Sequence, residues 1–284
     1  MGKVIANMHG AVSIVNAIAT GKGATLGISL GIETTIETEP GRGIIFENRE
    51  STLSSRLIRS VVETSLPKFE LEKNKITISV KSEIPSGYGL KSSSAISSVI
   101  SLACAKLFKP KATDLEILKD GVHASIQSKV SITGAFDDAC ACYFGGFVVT
   151  DNTNIKIIKS EKASEDLSAV IFIPKSRRRG NVKKLKILNS VFSQAWDLAA
   201  KSDYWNAMTL NGLATSSILD SDPKIITDLL DSGALGASVS GNGPSIAAIV
   251  KNDKISSAKK VFSSLEGTTI VSQINNKKAE VHEV

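Results

Sequence analysis

The sequence predicts a globular α+β protein, on two observations. Its 284 residues, 42% of them hydrophobic, are enough to bury a sizeable core. Segments with strand-like patterns also alternate along the chain with segments of helical period, without long linkers. The stretch 150–168 is the best candidate for a seam between two halves, so the predicted domains are 1–160 and 161–284.

The first half is predicted to begin with sheet. Residues 25–38 and 43–46 are rich in β-branched residues and flank EPGRG, which predicts a hairpin. Residues 52–65 have apolar side chains at helical spacing and end before a proline, which predicts a helix. Residues 75–84 alternate apolar and polar side chains, as a half-buried strand does.

The period then becomes helical. Apolar residues recur at helical spacing from Ser92 until Pro110, which cannot continue a helix. The stretch TDLEILKDGVHASIQSKVS predicts two helical segments, with Thr113 as an N-cap and Gly121 as a break. ACYFGGFVVTD is predicted to return to strand and to turn at its glycine pair.

The second half is predicted to contain both helix and strand. In chain order its elements are a strand at 168–174, helices around 191–202, 204–218 and 224–230, the Gly-rich stretch GALGASVSGNGPSIAAIV, helix ISSAKKVFSSL and strand TTIVSQI.

Charge narrows the class of partner. The net charge of +6 and the pI near 9.1 suit a nucleic acid, a membrane surface or an acidic small molecule. Basic residues concentrate in KSRRRGNVKKLK, which is either a solvated face or a site for an anionic substrate. Because only 5% of residues are aromatic, base-stacking surfaces are not indicated. We expect no nucleic acid partner.

Other composition features point to a cytoplasmic protein. No apolar run is long enough to span a membrane, and the first residues are too polar for a signal sequence, so no membrane partner is expected. The three cysteines have no metal-type spacing and predict no disulfide framework. The sequence does not specify an oligomeric state.

The loop PSGYGLKSSSA joins a predicted strand to a predicted helix. The first turn of a helix presents unpaired N–H groups, glycines allow close backbone approach, and serines add hydroxyls, so the loop suits a phosphate group. It also suits an ordinary turn before a capped helix. Neither a P-loop G-x-x-x-x-G-K-[ST] nor a dinucleotide-binding G-x-G-x-x-G is present in the sequence.

Three stretches resemble one enzyme family. PSGYGLKSSSA resembles the second motif of the GHMP kinases, P-x-x-x-G-L-x-S-S-[AS], and SVSGNGPSIAAIV resembles their third. NAIATGKGATLGI, GLKSSSA and SITGAFDDACACYFGG are similar to the archaeal shikimate kinases, with Lys91 where most GHMP kinases have glycine. The resemblance covers essentially the whole chain.

The resemblance implies a GHMP kinase fold, with an N-terminal domain like ribosomal S5 domain 2 and a ferredoxin-like C-terminal domain. It implies phosphorylation of shikimate to 3-phosphoshikimate, with ATP and Mg²⁺ as cofactors and shikimate and ATP as partners. The residues it assigns to ATP are Pro85, Ser86, Gly87, Tyr88, Gly89, Leu90, Lys91, Ser92, Ser93, Ser94, Ala95, Gly241 and Gly243.

The resemblance also assigns catalytic residues. Asp137 matches the acidic position that acts on the acceptor hydroxyl, although paired aspartates are also typical of a helix start, and Asp138 is interpreted as structural. Lys22 is a candidate charge partner for the phosphate or for Asp137, or simply a solvated lysine. The magnesium-binding glutamate of mevalonate-type relatives has no counterpart in HASIQSKV, so Ser93 or Ser94 is expected to bind Mg²⁺ with ATP oxygens and water.

Shikimate carries one carboxylate and three hydroxyls, so its site needs a cation and hydrogen-bonding side chains. The candidates for the carboxylate are Arg177, Arg178 and Arg179, and those for the hydroxyls are Ser13, Asn16 and Thr20. Two alternatives remain. One is a GHMP kinase for another small acidic alcohol such as homoserine, and the other is a non-catalytic RNA-binding protein.

Overall fold

The computed structural model describes residues 2–47, 53–178 and 180–284, which form two sheets covered by helices. In chain order the elements are β1 (Gly2–Val15), β2 (Lys22–Pro40), β3 (Gly43–Phe46), α1 (Ser55–Ser65), α2 (Lys68–Lys73), β4 (Asn74–Ser82), α3 (Ser92–Phe108), α4 (Asp114–Gln127), α5 (Phe136–Phe144), β5 (Phe147–Asp151), β6 (Lys156–Glu161), β7 (Leu167–Pro174), α6 (Asn189–Ala200), α7 (Tyr204–Ile218), α8 (Pro223–Asp231), β8 (Gly236–Val239), β9 (Ile246–Lys251), α9 (Ile255–Phe262), β10 (Gly267–Gln273) and β11 (Glu280–Glu283). Short 3-10 helices precede α6 and α9.

The first sheet is organised by the long strand β2. Its order is β11-β1-β2-β4-β3, and β5 joins the early part of β2 while β6 joins β5. The early residues of β2 pair with β5 and the later ones with β4, because β2 is long enough to serve two neighbours. All pairs are antiparallel except β3 with β4. The last strand, β11, pairs with β1, so the end of the chain returns to the first sheet.

Helix α3 lies in the centre of the first half. It contacts β1 and β2 as well as α1, α4 and α5, and its small side chains (SSSAISSVISLACAKLF) are buried along most of its length. Small residues let helices approach closely. A Cβ on Gly121 of α4 would lie 3.3 Å from the backbone of Ser97 in α3, so this glycine allows close helix packing.

The second sheet has the order β10-β7-β9-β8 and is antiparallel throughout. Its strands occur along the chain as strand, helices, two strands, helix, strand, which is the ferredoxin-like arrangement. Together with the first sheet, this confirms the predicted α+β fold.

The two halves share a core. One cluster of buried apolar residues includes side chains of the first sheet and of β7, β9, α6 and α7. At the junction, the rings of Phe147 and Tyr204 stack with centroids 3.9 Å apart. Strand β6 ends at Glu161, close to the predicted boundary between 160 and 161, which stays a prediction.

Most predicted elements are confirmed, and three are wrong in detail. Strand β3 pairs with β4 in parallel rather than with β2, so EPGRG does not close a hairpin. Helix α4 continues through Gly121, because that glycine fits against α3 and does not need to break the helix. The segment ACYF belongs to α5, and strand begins only after the glycine pair. Sequence patterns also did not predict β1, α2, β6, β8, β9 or β11.

Two finer predictions are confirmed. Thr113 caps α4 in a full capping box with Glu116, and α1 ends at Ser65, before Pro67.

Across residues 2–47, 53–178 and 180–284, the structure contains no helix with the length and apolar character needed to cross a membrane.

Candidate active site

A cavity of about 360 Å³ lies where the two halves meet. Its walls come from the end of β1 and the turn after it, the first turn of α3, the start of α5, and the loop between β8 and β9. The described residues that line it are Ser13, Asn16, Ala17, Ile18, Gly87, Gly89, Lys91, Ser92, Ser93, Ser94, Val130, Ser131, Ile132, Thr133, Ala135, Asp137, Asp138, Val182, Gly241 and Asn242.

The loop before α3 presents the helix N-terminus to this cavity. Gly87 and Gly89 have φ of 83° and 85°, a region that favours glycine. Three serines of the first turn, Ser92 to Ser94, line the cavity beside the unpaired N–H groups expected there. This arrangement can bind an anion such as phosphate.

The β8–β9 loop lies directly against the loop before α3. A Cβ on Gly89 would lie 2.0 Å from the carbonyl oxygen of Ser240, so only glycine allows this approach. The Ser240 hydroxyl donates to the Gly89 carbonyl at 2.9 Å, and the Ser240 Oγ accepts from the N–H of Ser13 at 3.2 Å. The N–H of Gly241 in turn donates to Ser13 Oγ at 2.9 Å. These bonds hold three chain segments together around the cavity.

Asp137 is buried at the start of α5, with 3% of its surface exposed. Asn152 Nδ2 donates to Asp137 Oδ1 at 2.7 Å, and the backbone N–H of Asp137 donates to Asn152 Oδ1 at 3.1 Å. The Thr25 hydroxyl lies 3.3 Å from Asp137 Oδ2. A Cβ on Gly23 would lie 2.2 Å from that same oxygen, so the carboxylate occupies the space a larger residue would need. The side chain is therefore fixed on several sides.

Burial is the main reason that the pKa of Asp137 is raised to about 7, and the negative charge of Asp138 raises it further. The positive charge of Lys91 and the hydrogen bond from Asn152 oppose this rise. A carboxylate that titrates near neutral pH can accept a proton during a reaction, which an ordinary exposed aspartate does less effectively.

Lys91 and Asp138 form a salt bridge at the cavity wall. Lys91 Nζ lies 2.8 Å from Asp138 Oδ1, and the two side chains are 4% and 16% exposed. Lys91 Nζ also donates to Ser13 Oγ at 2.6 Å. Among the described residues that line the cavity, Lys91 is the one cation.

The structure brings only part of the predicted site to the cavity. The predicted residues that line it are Ser13, Asn16, Gly87, Gly89, Lys91, Ser92, Ser93, Ser94, Asp137 and Gly241. Those outside the lining are Thr20, Lys22, Pro85, Ser86, Tyr88, Leu90, Ala95, Arg177, Arg178 and Gly243. Arg179 falls outside the described residues. The roles of all these residues stay predictions.

Lys22 is not brought together with Asp137. Successive residues of a strand point to opposite faces, and Gly23 and Thr25 are on the face of β2 that meets Asp137. The Lys22 ammonium lies over the ring of Trp196, 4.4 Å from its centroid.

Two predicted substrate residues have partners elsewhere. The Arg177 guanidinium lies 5.1 Å from the centroid of the Tyr88 ring, and its Nε donates to the Tyr88 hydroxyl at 3.3 Å. The Thr20 hydroxyl donates to the carbonyl of Lys22 at 3.1 Å and shapes the turn before β2.

Asn16 lines the cavity, but both the nitrogen and the oxygen of its side-chain amide have hydrogen-bond partners within the protein. Its Nδ2 donates to the Gly241 carbonyl at 2.7 Å, and its Oδ1 accepts from the N–H of Ile18 at 2.9 Å. Its visible function is to hold the β8–β9 loop.

Sequence reasoning missed the residues that surround Asp137. Asn152 follows β5, and no local motif marks it. Gly23 and Thr25 both belong to β2 and lie in the stretch NAIATGKGATLGI, but that stretch by itself does not show that they face Asp137. The segment 130–133 also lines the cavity, and none of its residues is among the predicted site residues, although 131–133 begin the stretch SITGAFDDACACYFGG. A second cavity, of about 320 Å³, shares Ile132 and Thr133 with the first and includes Asn152.

The donor set near α3 suits a hard cation only in part. The described residues contain no group of three or more His, Cys, Asp or Glu side chains that could hold a metal ion by themselves. Ser93 and Ser94 provide hydroxyl oxygens at the cavity, and Mg²⁺ accepts oxygen ligands while it retains several waters. The residues therefore fit a Mg²⁺ ion held largely by substrate phosphates and water.

Comparison with known proteins identifies relatives. The family model of the GHMP kinases N terminal domain matches residues 56–146. The chain is 40% identical to the shikimate kinase of Methanosarcina mazei over 94% of this chain and 92% of that protein. It is 39% identical to the shikimate kinase of Methanosarcina acetivorans, over 95% and 93%. The fold is similar to the crystal structure of homoserine kinase from Cytophaga hutchinsonii, with a TM-score of 0.76 and 19% identity over 99% of this chain and 98% of that one.

Proposed function

The chain belongs to the archaeal-type shikimate kinases of the GHMP kinase superfamily, and we propose that it transfers the γ-phosphoryl group of ATP to the 3-hydroxyl of shikimate. The observation that carries the proposal is that the first turn of α3 and the carboxylate of Asp137 line one cavity. An anion-binding helix end and a proton acceptor thus face the same space, as phosphoryl transfer to a hydroxyl requires. Shikimate is proposed as the acceptor because the chain is similar to the shikimate kinases of two Methanosarcina species.

In this proposal the ATP phosphates lie at the N-terminus of α3. The positive φ angles of Gly87 and Gly89 give the loop its shape, while Ser92 to Ser94 add hydroxyl donors. Gly241 and Asn242, in the loop between β8 and β9, form another part of the cavity wall. Phosphate oxygens bound between these walls would be fixed in position, which accounts for much of the catalysis of phosphoryl transfer.

Asp137 is proposed to accept the proton of the shikimate 3-hydroxyl. Its pKa of about 7 means that a substantial fraction is ionised at neutral pH and that the protonated product form is also accessible. Asn152 holds one carboxylate oxygen, so the other is directed toward Thr25 and Gly23. Fixing the carboxylate in this way favours one approach direction for the acceptor hydroxyl.

Ser93 and Ser94 are proposed to hold Mg²⁺ together with ATP oxygens and water, since both line the cavity. When bound, the ion would neutralise charge on the phosphates. The cation for the shikimate carboxylate is proposed to be Arg177 or Arg178. They belong to the same chain segment as Val182, which lines the cavity.

The test is to incubate the purified protein with Mg·ATP and shikimate and to identify the products by mass spectrometry and phosphorus NMR. We expect ADP and shikimate phosphorylated at the 3-hydroxyl in equal amounts. Release of ADP without a phosphorylated acceptor, or phosphate on another hydroxyl, would contradict the proposal.

A further inference from the structure

The conformation of Lys91 is unusual for its residue type. It precedes α3 with φ of 67° and ψ of 20°, in the left-handed region that favours glycine. Its carbonyl accepts the N–H of Ala95 at 2.9 Å, so its backbone also starts the helix. A side chain at such a position is disfavoured unless its contacts compensate. The contacts of the Lys91 side chain must therefore compensate for the strain of its backbone.

The ammonium of Lys91 is held where the walls of the cavity converge. Its Nζ contacts Ser13 of β1 at 2.6 Å and Asp138 of α5 at 2.8 Å. On the third side, a Cβ on Gly241 would lie 3.0 Å from Nζ. The ammonium thus lies among the first strand, the helix that carries Asp137, and the β8–β9 loop.

The charges of the cavity wall create a need for this cation. The described lining residues include two carboxylates, Asp137 and Asp138, and one cation, Lys91. A triphosphate that enters such a site brings several more negative charges, and the transition state of phosphoryl transfer spreads charge over the oxygens of the moving group. A buried ammonium is effective at neutralising that charge, because little water screens it.

The contacts of Lys91 leave capacity for another acceptor. An ammonium has three donors, and the described residues supply two acceptors, Ser13 Oγ and Asp138 Oδ1. Ser13 Oγ also accepts from the N–H of Gly241. These bonds fix the Lys91 ammonium close to the loop before α3. A phosphate oxygen at the start of α3 would meet this charge.

We propose that Lys91 is a catalytic residue that contacts the transferring phosphoryl group, and that Asp138 holds its ammonium in position for that contact. This inference rests on the proposed kinase function. In the step, a bond forms between the acceptor oxygen and the γ-phosphorus while the bond from that phosphorus to the β–γ bridging oxygen breaks. The ADP oxygen keeps the electron pair of the broken bond, and the hydroxyl proton passes to the Asp137 carboxylate. Lys91 stabilises the charge on the moving group without giving up its proton.

The opposing interpretation is that Lys91 only neutralises Asp138 and so supports the fold. The two interpretations differ in a double variant. Lys91→Gly removes the ammonium and suits the left-handed backbone, so it is the replacement least expected to disturb the start of α3. Lys91→Gly combined with Asp138→Asn also removes the charge left without a partner.

The experiment measures kcat and the ATP KM for the wild type, Lys91→Gly, Asp138→Asn and the double variant, with a thermal melt of each. We expect Lys91→Gly to lower kcat about 10²- to 10³-fold, as loss of one transition-state donor does. The double variant is expected to remain as slow. Recovery of the double variant to an activity near that of the wild type, or activity of Lys91→Gly close to that of the wild type, would overturn the proposal.

A binding measurement separates this inference from the proposed function. The affinities of ADP and of a non-hydrolysable ATP analogue are compared by calorimetry for wild type and Lys91→Gly, without any acceptor. Lys91→Gly is expected to weaken the analogue about tenfold more than ADP, since only the analogue has a γ-phosphate. Equal weakening of both would overturn the role of Lys91 even if shikimate is not the acceptor. A wild type that binds ATP but does not phosphorylate shikimate would contradict the proposed function alone.

Discussion

Asp137 and Asn152 are joined by two hydrogen bonds that run in opposite directions. The side-chain amide of Asn152 donates to Asp137 Oδ1 at 2.7 Å, and the Asp137 N–H donates to Asn152 Oδ1 at 3.1 Å. The Thr150 hydroxyl also donates to Asn152 Oδ1, at 2.6 Å, which fixes the orientation of the amide. Asn152 therefore both orients the proposed base and lowers its pKa.

Asn152→Ala is expected to raise the pKa of Asp137, because the hydrogen bond that favours its ionised form is lost. The pH at which kcat reaches half its maximum should move upward, and kcat at neutral pH should fall about tenfold or more. The measurement is a pH–rate profile. Asn154→Ala is the matched control, since Asn154 is exposed and its side-chain amide donates to Asp151 rather than to Asp137. Identical profiles for the two variants would contradict the role of Asn152.

Asp137→Asn is expected to lower kcat about 10²- to 10⁴-fold, as for loss of a positioned general base. Wild-type activity should rise with pH through about 7, the pKa of Asp137, and the rise should be absent in the variant. Asp138→Asn should cost less than Asp137→Asn, because the proposed base is kept and Ser13 Oγ still accepts from the Lys91 ammonium when the Asp138 charge is lost. If Asp137→Asn keeps its activity while Asp138→Asn is inactive, the base must be reassigned to Asp138.

Asp137→Asn should also change the thermal stability of the protein, by an amount that depends on pH. Because the pKa of Asp137 in the folded protein lies above its usual value of 3.8, the folded state binds more protons than the unfolded state between these pH values. The contribution of Asp137 to stability therefore falls as pH rises through this window. Asp137→Asn has no such titration, so the Tm of the variant minus that of wild type should be larger at pH 8 than at pH 5. A constant difference would contradict the raised pKa.

Gly23→Ala should reduce activity strongly while leaving the sheet formed. The added methyl group would lie 2.2 Å from Asp137 Oδ2, so the carboxylate must move away from its position. Gly31→Ala on the same strand is the control, because its methyl group would meet only the end of the flexible Glu83 side chain, at 3.4 Å. The comparison is kcat with a thermal melt of each variant. Equal activity of the two would show that the position of Asp137 is not critical.

Ser93→Ala is expected to raise the ATP KM about tenfold, because one ligand for phosphate or metal is removed at the start of α3. The shikimate KM should change little. Ser55→Ala is the control, because Ser55 is an exposed serine in the first turn of α1 and is not among the described residues that line the cavity. An unchanged ATP KM in both variants would indicate that the α3 loop serves only as a turn.

Local patterns predicted the fold well where an element has its own period. Helix α3 and strand β4 follow from the spacing of their apolar residues, and Thr113 follows from capping chemistry. Pairing between strands depends on contacts distant in the sequence. Residues 43–46 read as the return strand of a hairpin, yet they pair in parallel with β4. The strand β11 joins β1 from the far end of the chain, which no local pattern could indicate.

The same distinction applies to the candidate site. Asp137 and the serines of α3 lie in contiguous motifs, and the structure brings them to one cavity. Asn152 and Gly23 contact Asp137 only because β2, β5 and α5 meet in the fold. The place of Lys22 in a glycine-rich loop predicts a contact with the phosphate or with Asp137, but strand alternation directs its side chain away from Asp137 and toward Trp196. Motifs therefore identified the reacting groups better than the residues that orient them.

The most direct test of the account is the acceptor preference of the wild-type protein. The purified protein would be assayed with Mg·ATP and separately with shikimate, homoserine, mevalonate and galactose, by coupled detection of ADP. We expect shikimate to have a kcat/KM higher than the others by orders of magnitude, because a site that hydrogen-bonds one acceptor rejects those that leave its groups unpaired. Faster turnover of homoserine or mevalonate, or ADP release that is independent of every acceptor, would contradict the account.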